Sequence, residues 1–82
     1  MPCRIGSTTR DVAARHSELI REEKVPRNSV IRIIATNLTY DEANRVERNE
    51  ISICRTYNPN CVGFPGGIPV LGNTYSVYRI DW

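Results

Sequence analysis

The residue whose type and position point most directly to chemistry is Glu47. Across the segment 39–55, Ala43, Val46, Ile51 and Cys54 recur at helical spacing, and Glu47 falls near the middle of the face they form, with Glu50 alongside. An ionised carboxylate turned towards a core is costly unless it meets a cation, a metal or several donors, so Glu47 is a better site candidate than Glu42 or Glu18. The alternative is a half-exposed glutamate beside the stripe. Arg15 lies at the edge of a second apolar stripe, where its guanidinium can reach either solvent or a cleft between elements. His16 sits within that stripe, as a packing residue with a hydrogen bond or as an acid–base group. Tyr75 and Tyr78 have an odd spacing, which on a strand puts them on opposite faces, so only one can face a shared cleft.

The elements that must position these residues follow from periodicity and turn chemistry. Cys3-Arg4-Ile5-Gly6 reads as a short strand, and the polar turn Ser7-Thr8-Thr9 can cap the helix that follows. Val12, His16, Leu19 and Ile20 mark an amphipathic helix from Arg10 to about Lys24, ending before Pro26. Val30 to Ala35 is β-branched and largely apolar, as a central strand covered on both faces would be. Thr39-Tyr40-Asp41-Glu42 carries the Thr-x-x-Glu capping box, which predicts a second helix to about Arg55. Residues 57–73 include Pro59, Pro65, Gly66, Gly67 and Pro69 and read as an irregular loop or linker. Thr74 to Trp82 alternates polar with large apolar residues and should pair as a strand. The order is that of a small mixed α/β (α+β) domain spanning 1–82, with a three-stranded, mainly antiparallel sheet flanked by two main helices.

Composition narrows the function classes. A chain of 82 residues makes one domain with a modest core. Its formal charge of +2 is weakly basic, but ten of the eleven cationic residues are Arg, the side chain that grips phosphate through a planar fork, which tilts the reading towards nucleic acid. Cys3, Cys54 and Cys61 are odd in number and lack zinc-ligand spacing, so they read as core thiols in a reducing compartment rather than as a disulfide framework or zinc site. No apolar run approaches membrane-spanning length and no signal-peptide pattern opens the chain, so no membrane partner and a cytoplasmic location are expected.

Two stretches resemble the GIY-YIG nucleases. Arg4-Ile5-Gly6-Ser7-Thr8-Thr9-Arg10-Asp11 followed by Arg15 is similar to that family's second strand, turn and first helix, with Arg4-Ile5-Gly6 where the family has Tyr-Ile-Gly and Arg15 where it has its essential Arg. Leu38 to Ile51 is similar to the family's second conserved helix, whose metal-binding Glu falls on Glu47. Only Met1-Pro2-Cys3 precedes Arg4, so the first strand is missing in linear order. The C-terminal Tyr75-Ser76-Val77-Tyr78-Arg79-Ile80 looks like that strand, with Ser76-Val77-Tyr78 in place of Gly-Ile-Tyr. The resemblance therefore implies a circularly permuted order in which residues 75–80 abut residues 3–6. Hairpin tips tolerate such breaks, and a linker of roughly fifteen residues can span a small domain. Without permutation, residues 74–82 would be an added edge strand.

The resemblance implies a metal-dependent endonuclease acting on DNA or RNA. Mg²⁺ or Mn²⁺ on Glu47 would polarise the scissile phosphate, Arg15 would neutralise charge on the phosphoryl group, and Tyr78 would help activate the attacking water. His16 is a candidate to compensate for Leu19, which stands one turn after Arg15 where many relatives have His. Arg4 and Arg10 are candidate contacts to the nucleic acid. A rival expectation is a catalytically inactive module that binds nucleic acid or another acidic partner, favoured by Arg4 and Leu19 at motif positions. A third is an assembly protein that forms homo-oligomers through strand exchange.

Overall fold

The computed structural model describes residues 2–63, 70 and 72–82; residues 64–69 and 71, within the stretch read as a linker, lie outside them. The elements run β1 (Cys3–Thr8), α1 (Val12–Arg21), β2 (Val30–Leu38), α2 (Tyr40–Tyr57), β3 (Cys61–Val62) and β4 (Tyr75–Asp81). The α+β class is as expected, but the sheet has four strands rather than three, in the order β2-β4-β1-β3. The extra strand is the two-residue β3, inside the stretch read as loop, which pairs parallel to β1 with Cys3 opposite Cys61 and Arg4 opposite Val62. So short a pairing has no periodicity to read.

β4 is central. It pairs antiparallel with β1, where Gly6 faces Tyr78 and Ser7 faces Val77, and antiparallel with β2, where Ile33 faces Tyr78. The two ends of the chain thus lie side by side, and the backbone N–H of Trp82 donates to the Pro2 carbonyl at 3.2 Å. The expectation for Val30 to Ala35 is corrected: β2 is an edge strand, with Val30 68% and Ile33 55% exposed. Its irregular pairing between Ile33 and Leu38 suits an edge, where bulges discourage further strand addition.

Each helix covers one face of the sheet. Under α2 the core holds Cys3, Ile5, Ala43, Ile51, Cys54, Tyr75 and Val77; under α1 it holds Val12, Leu19, Val25, Tyr78 and Ile80. Tyr75 and Tyr78 therefore lie on opposite faces, as their spacing requires. The capping box of α2 is formed: the Thr39 N–H donates to Glu42 Oε1 at 2.9 Å, and the Glu42 N–H donates to Thr39 Oγ1 at 3.2 Å. That backbone bond from Thr39, together with the one involving its side chain, holds the Glu42 carboxyl below its usual range. For α1, Asp11 rather than the Ser7-Thr8-Thr9 turn is the cap, accepting from the Ala14 N–H at 3.1 Å, because β1 continues to Thr8.

The cysteine expectation is also corrected. Cys3 and Cys61 form a disulfide, and Cys54 is a free, buried thiol beside it. A sequence separation of 58 hides this pair from any spacing rule; the β1–β3 register brings the two residues together. Among the described residues, no helix is long and apolar enough to cross a membrane.

Candidate active site

Side chains alternate along β1, so Ile5 and Ser7 point towards α2 while Arg4 and Gly6 point towards α1. Because β3 covers only Cys3 and Arg4, the rest of this edge is open among the described residues. A cleft of about 160 Å³ wraps around it and gathers Arg4, Ser7, Arg15, Glu47 and Tyr78. Three of the four residues expected to be catalytic, Arg15, Glu47 and Tyr78, therefore share one cleft, although they come from two helices and the last strand.

Glu47 lies on the buried stripe of α2, with Ala43 one turn before it and Ile51 one turn after. It is 2% exposed, so the half-exposed alternative does not hold. Burial pushes its carboxyl above the usual range, and the hydrogen bond with Ser7 only partly offsets this. Its Oε1 is buried without a hydrogen-bond partner. An orphaned carboxylate oxygen in a cleft is a costly feature that a hard cation would satisfy, so Glu47 fits the Mg²⁺ or Mn²⁺ implied by the resemblance.

Tyr78 reaches the cleft because its ring lies over Gly6. A Cβ at position 6 would meet the Tyr78 hydroxyl oxygen at 2.4 Å and Cζ at 2.6 Å, so only glycine leaves room for the ring. The Tyr78 hydroxyl accepts from Arg15, whose guanidinium also pairs with Glu18. Burial pulls the Arg15 pKa down, but these two contacts outweigh it and keep the group firmly charged. Glu18 also takes Arg10, at 2.9 Å; although desolvation pushes its carboxyl up, the two arginines hold it below the usual range.

The remaining candidates divide. Arg4 lines the cleft. Arg10 does not line it: it is engaged by Glu18 and 61% exposed, and it lines an adjoining depression that shares Ser7 and Arg15 with the cleft and includes Tyr40 and Tyr75. His16 is outside the cleft as well, with Nε2 at 2.8 Å from Ser29 Oγ, which makes it a link between α1 and the start of β2. Catalytic compensation by His16 therefore has no geometric basis.

Several contributors had no distinct signal in the sequence. Val62 and Gly63 form the far wall of the cleft. Arg55 holds that wall by donating from Nε to the Cys61 carbonyl and from Nη2 to the Gly63 carbonyl, each at 3.3 Å. Gly63 leaves room for Ile51: a Cβ there would meet Ile51 Cδ1 at 2.6 Å, so that side chain would have to shift. Ser7 could have been found, since period two from Ile5 puts it on the α2 face. The wall could not, because it depends on a pairing between residues far apart in sequence.

A second cluster of ligand-type atoms, the sulfurs of Cys3, Cys54 and Cys61, lies within 4.8 Å of one another on the α2 face. Two of the three are consumed by the disulfide, and Arg79 Nη1 lies 2.9 Å from the Cys54 sulfur. Chemically, the cleft offers two cations for an anion, a carboxylate oxygen available to a metal, and a phenol hydroxyl positioned by Arg15. Compared with known proteins, the chain matches no family model, no curated protein and no solved structure.

Proposed function

We propose that this chain is a metal-dependent endonuclease hydrolysing phosphodiester bonds in DNA or RNA, built as a circularly permuted relative of the GIY-YIG nucleases. The observation that carries the reading is the buried, partnerless Oε1 of Glu47 in one cleft with Arg15 and Tyr78. The antiparallel pairing of β4 with β1 supports the permuted order, since it sets Ser76-Val77-Tyr78 beside Gly6-Ser7-Thr8.

In this reading Glu47 would hold a divalent cation, which would supply Lewis-acid polarisation of the scissile phosphate. Arg15 binds the phosphoryl oxygens and offsets the charge that builds on them in the transition state. Tyr78, its oxygen already engaged by Arg15, orients the attacking water and helps activate it. Arg4 fixes an adjacent phosphate.

Arg4 also favours a second reading. A fixed positive charge in the cleft, where the resembling family has Tyr, suits a module that binds phosphate without cutting it. One experiment separates the two. Plasmid DNA and RNA are incubated with the protein and Mg²⁺, with Glu47→Gln in parallel, and Mg²⁺-dependent thermal shifts are recorded for both. The nuclease reading expects cleavage that falls at least about 100-fold in the variant, together with a Mg²⁺-induced shift that the variant loses. Binding without cleavage establishes the module; full cleavage by Glu47→Gln removes Glu47 from the mechanism.

A further inference from the structure

A second concave surface lies at the far end of α1. The last turn of that helix, the segment 23–27 and Trp82 enclose an open groove of about 1070 Å³. Three cations, Arg21, Lys24 and Arg27, line it with one carboxylate, Glu23. Among the described residues none of these three cations has an ion-pair partner, whereas Arg10, Arg15 and Arg79 each hold a carboxylate. The groove therefore carries uncompensated positive charge in a chain whose net charge is only +2. The C-terminal end of α1 contributes a partial negative charge of about half a unit, which three full cations exceed.

Trp82 gives the groove its second property. Its side chain is half-buried, packed against the cluster that contains Val25 and Ile80, and its backbone is tied to Pro2. The indole is therefore a fixed aromatic surface. Fixed aromatic surfaces bordered by cations bind unpaired bases by stacking while the cations take the phosphates. A duplex keeps its bases stacked on one another and can use only the cations.

The groove lies within reach of the cleft. Trp82 follows β4 directly and is four residues beyond Tyr78, about 13 Å at strand spacing. Arg21 is six residues beyond Arg15 on α1, about 9 Å along a helix. A few nucleotides of a single strand bridge such a distance.

We propose that the Trp82 groove binds single-stranded nucleic acid, with a base stacked on the indole and neighbouring phosphates on Arg21, Lys24 and Arg27. Its role in presenting that strand to the Glu47 cleft rests on the nuclease reading; its binding of the strand does not.

Trp82 is the sole tryptophan of the chain, so its intrinsic fluorescence reports the groove directly. The full chain is titrated with oligo-dT, oligo-rU and a duplex of equal length, without divalent metal, at low and moderate salt. The expected result is saturable quenching by one or both single strands, weaker quenching by the duplex, and loss of affinity as salt rises. Anisotropy of a labelled oligonucleotide then tests variants: Trp82→Ala should weaken binding about 10-fold and Trp82→Phe much less. Replacing Arg21, Lys24 and Arg27 together by Gln should also weaken binding and flatten its salt dependence. Near-wild-type binding by Trp82→Phe separates loss of stacking from loss of fold.

Equal quenching by duplex and single strand, no quenching, or unchanged affinity in Trp82→Ala overturns the proposal. Quenching that persists in a protein unable to cleave leaves the groove intact and removes only the nuclease reading. Cleavage without quenching does the reverse.

Discussion

The two faces of the sheet treat polar groups in opposite ways. Under α1 they are matched: Arg15 engages Tyr78 and Glu18, and His16 engages Ser29. Under α2, Glu47 is buried with Oε1 unpartnered, and the same face holds a disulfide and a buried free thiol. The contrast separates two jobs. One face is internally satisfied and aims a cation and a phenol at the edge of β1; the other carries both an unmet electrostatic demand and the cross-link. The covalent tie stabilises the face that the carboxylate destabilises.

The largest effect should come from cutting that tie. Replacing Cys3 and Cys61 together by Ala removes a link across 58 residues and should cost about 4 kcal/mol by the loop-entropy relation, measured by urea unfolding under oxidising conditions. Equal stability of the two proteins would mean that the cross-link does not hold the α2 face. Next is Gly6→Ala, which strikes the satisfied face. The new methyl displaces the Tyr78 ring, with an expected loss of about 2 kcal/mol and, for a nuclease, roughly 100-fold in rate. An unchanged rate would detach Tyr78 from catalysis.

The carboxylate itself should behave in the opposite sense. The folded-state pKa of Glu47 is raised by burial, so the native state holds its proton more tightly than the unfolded chain does. Its contribution is therefore favourable below the ordinary carboxylate pKa and is lost as pH rises through the raised folded value. Glu47→Gln should accordingly be more stable than the parent at neutral pH, by about 1.5 kcal/mol, and the gain should vanish in acid. A variant less stable at neutral pH would show that the charge is compensated. The smallest effect is at the start of α2: Thr39→Ala breaks the capping box and should cost about 1 kcal/mol, measured by urea unfolding, without changing the pH dependence of stability that Glu47 produces. A changed pH dependence would mean that the helix start and the cleft are coupled.

What could be read from the sequence was local. The start of α2 was legible because a capping box is a short-range pattern, and Glu47 because a carboxylate on an apolar stripe violates the stripe. β4 was legible from its alternation, and the odd spacing of Tyr75 and Tyr78 already divided them between faces. What failed was non-local. The apolar run Val30 to Ala35 suggested a covered strand, yet strand order places it at an edge, since composition reports a strand's hydrophobicity and not its neighbours. The disulfide, β3 and the cleft wall at Val62 and Gly63 all depend on one parallel pairing between distant residues. Arg10 and Arg15 looked alike as isolated cations; only geometry shows that Arg15 turns to Tyr78 while Arg10 does not line the cleft.

The position of β4 bears on how the protein is made. Synthesis delivers Arg15 and Glu47 long before Tyr78, and until residues 75–81 are released β1 and β2 have no strand to join them, because both pair with β4. A nascent chain therefore holds Arg15 and Glu47 on helices that no sheet yet unites, and the cleft assembles only when residues 75–81 pair with β1 and β2.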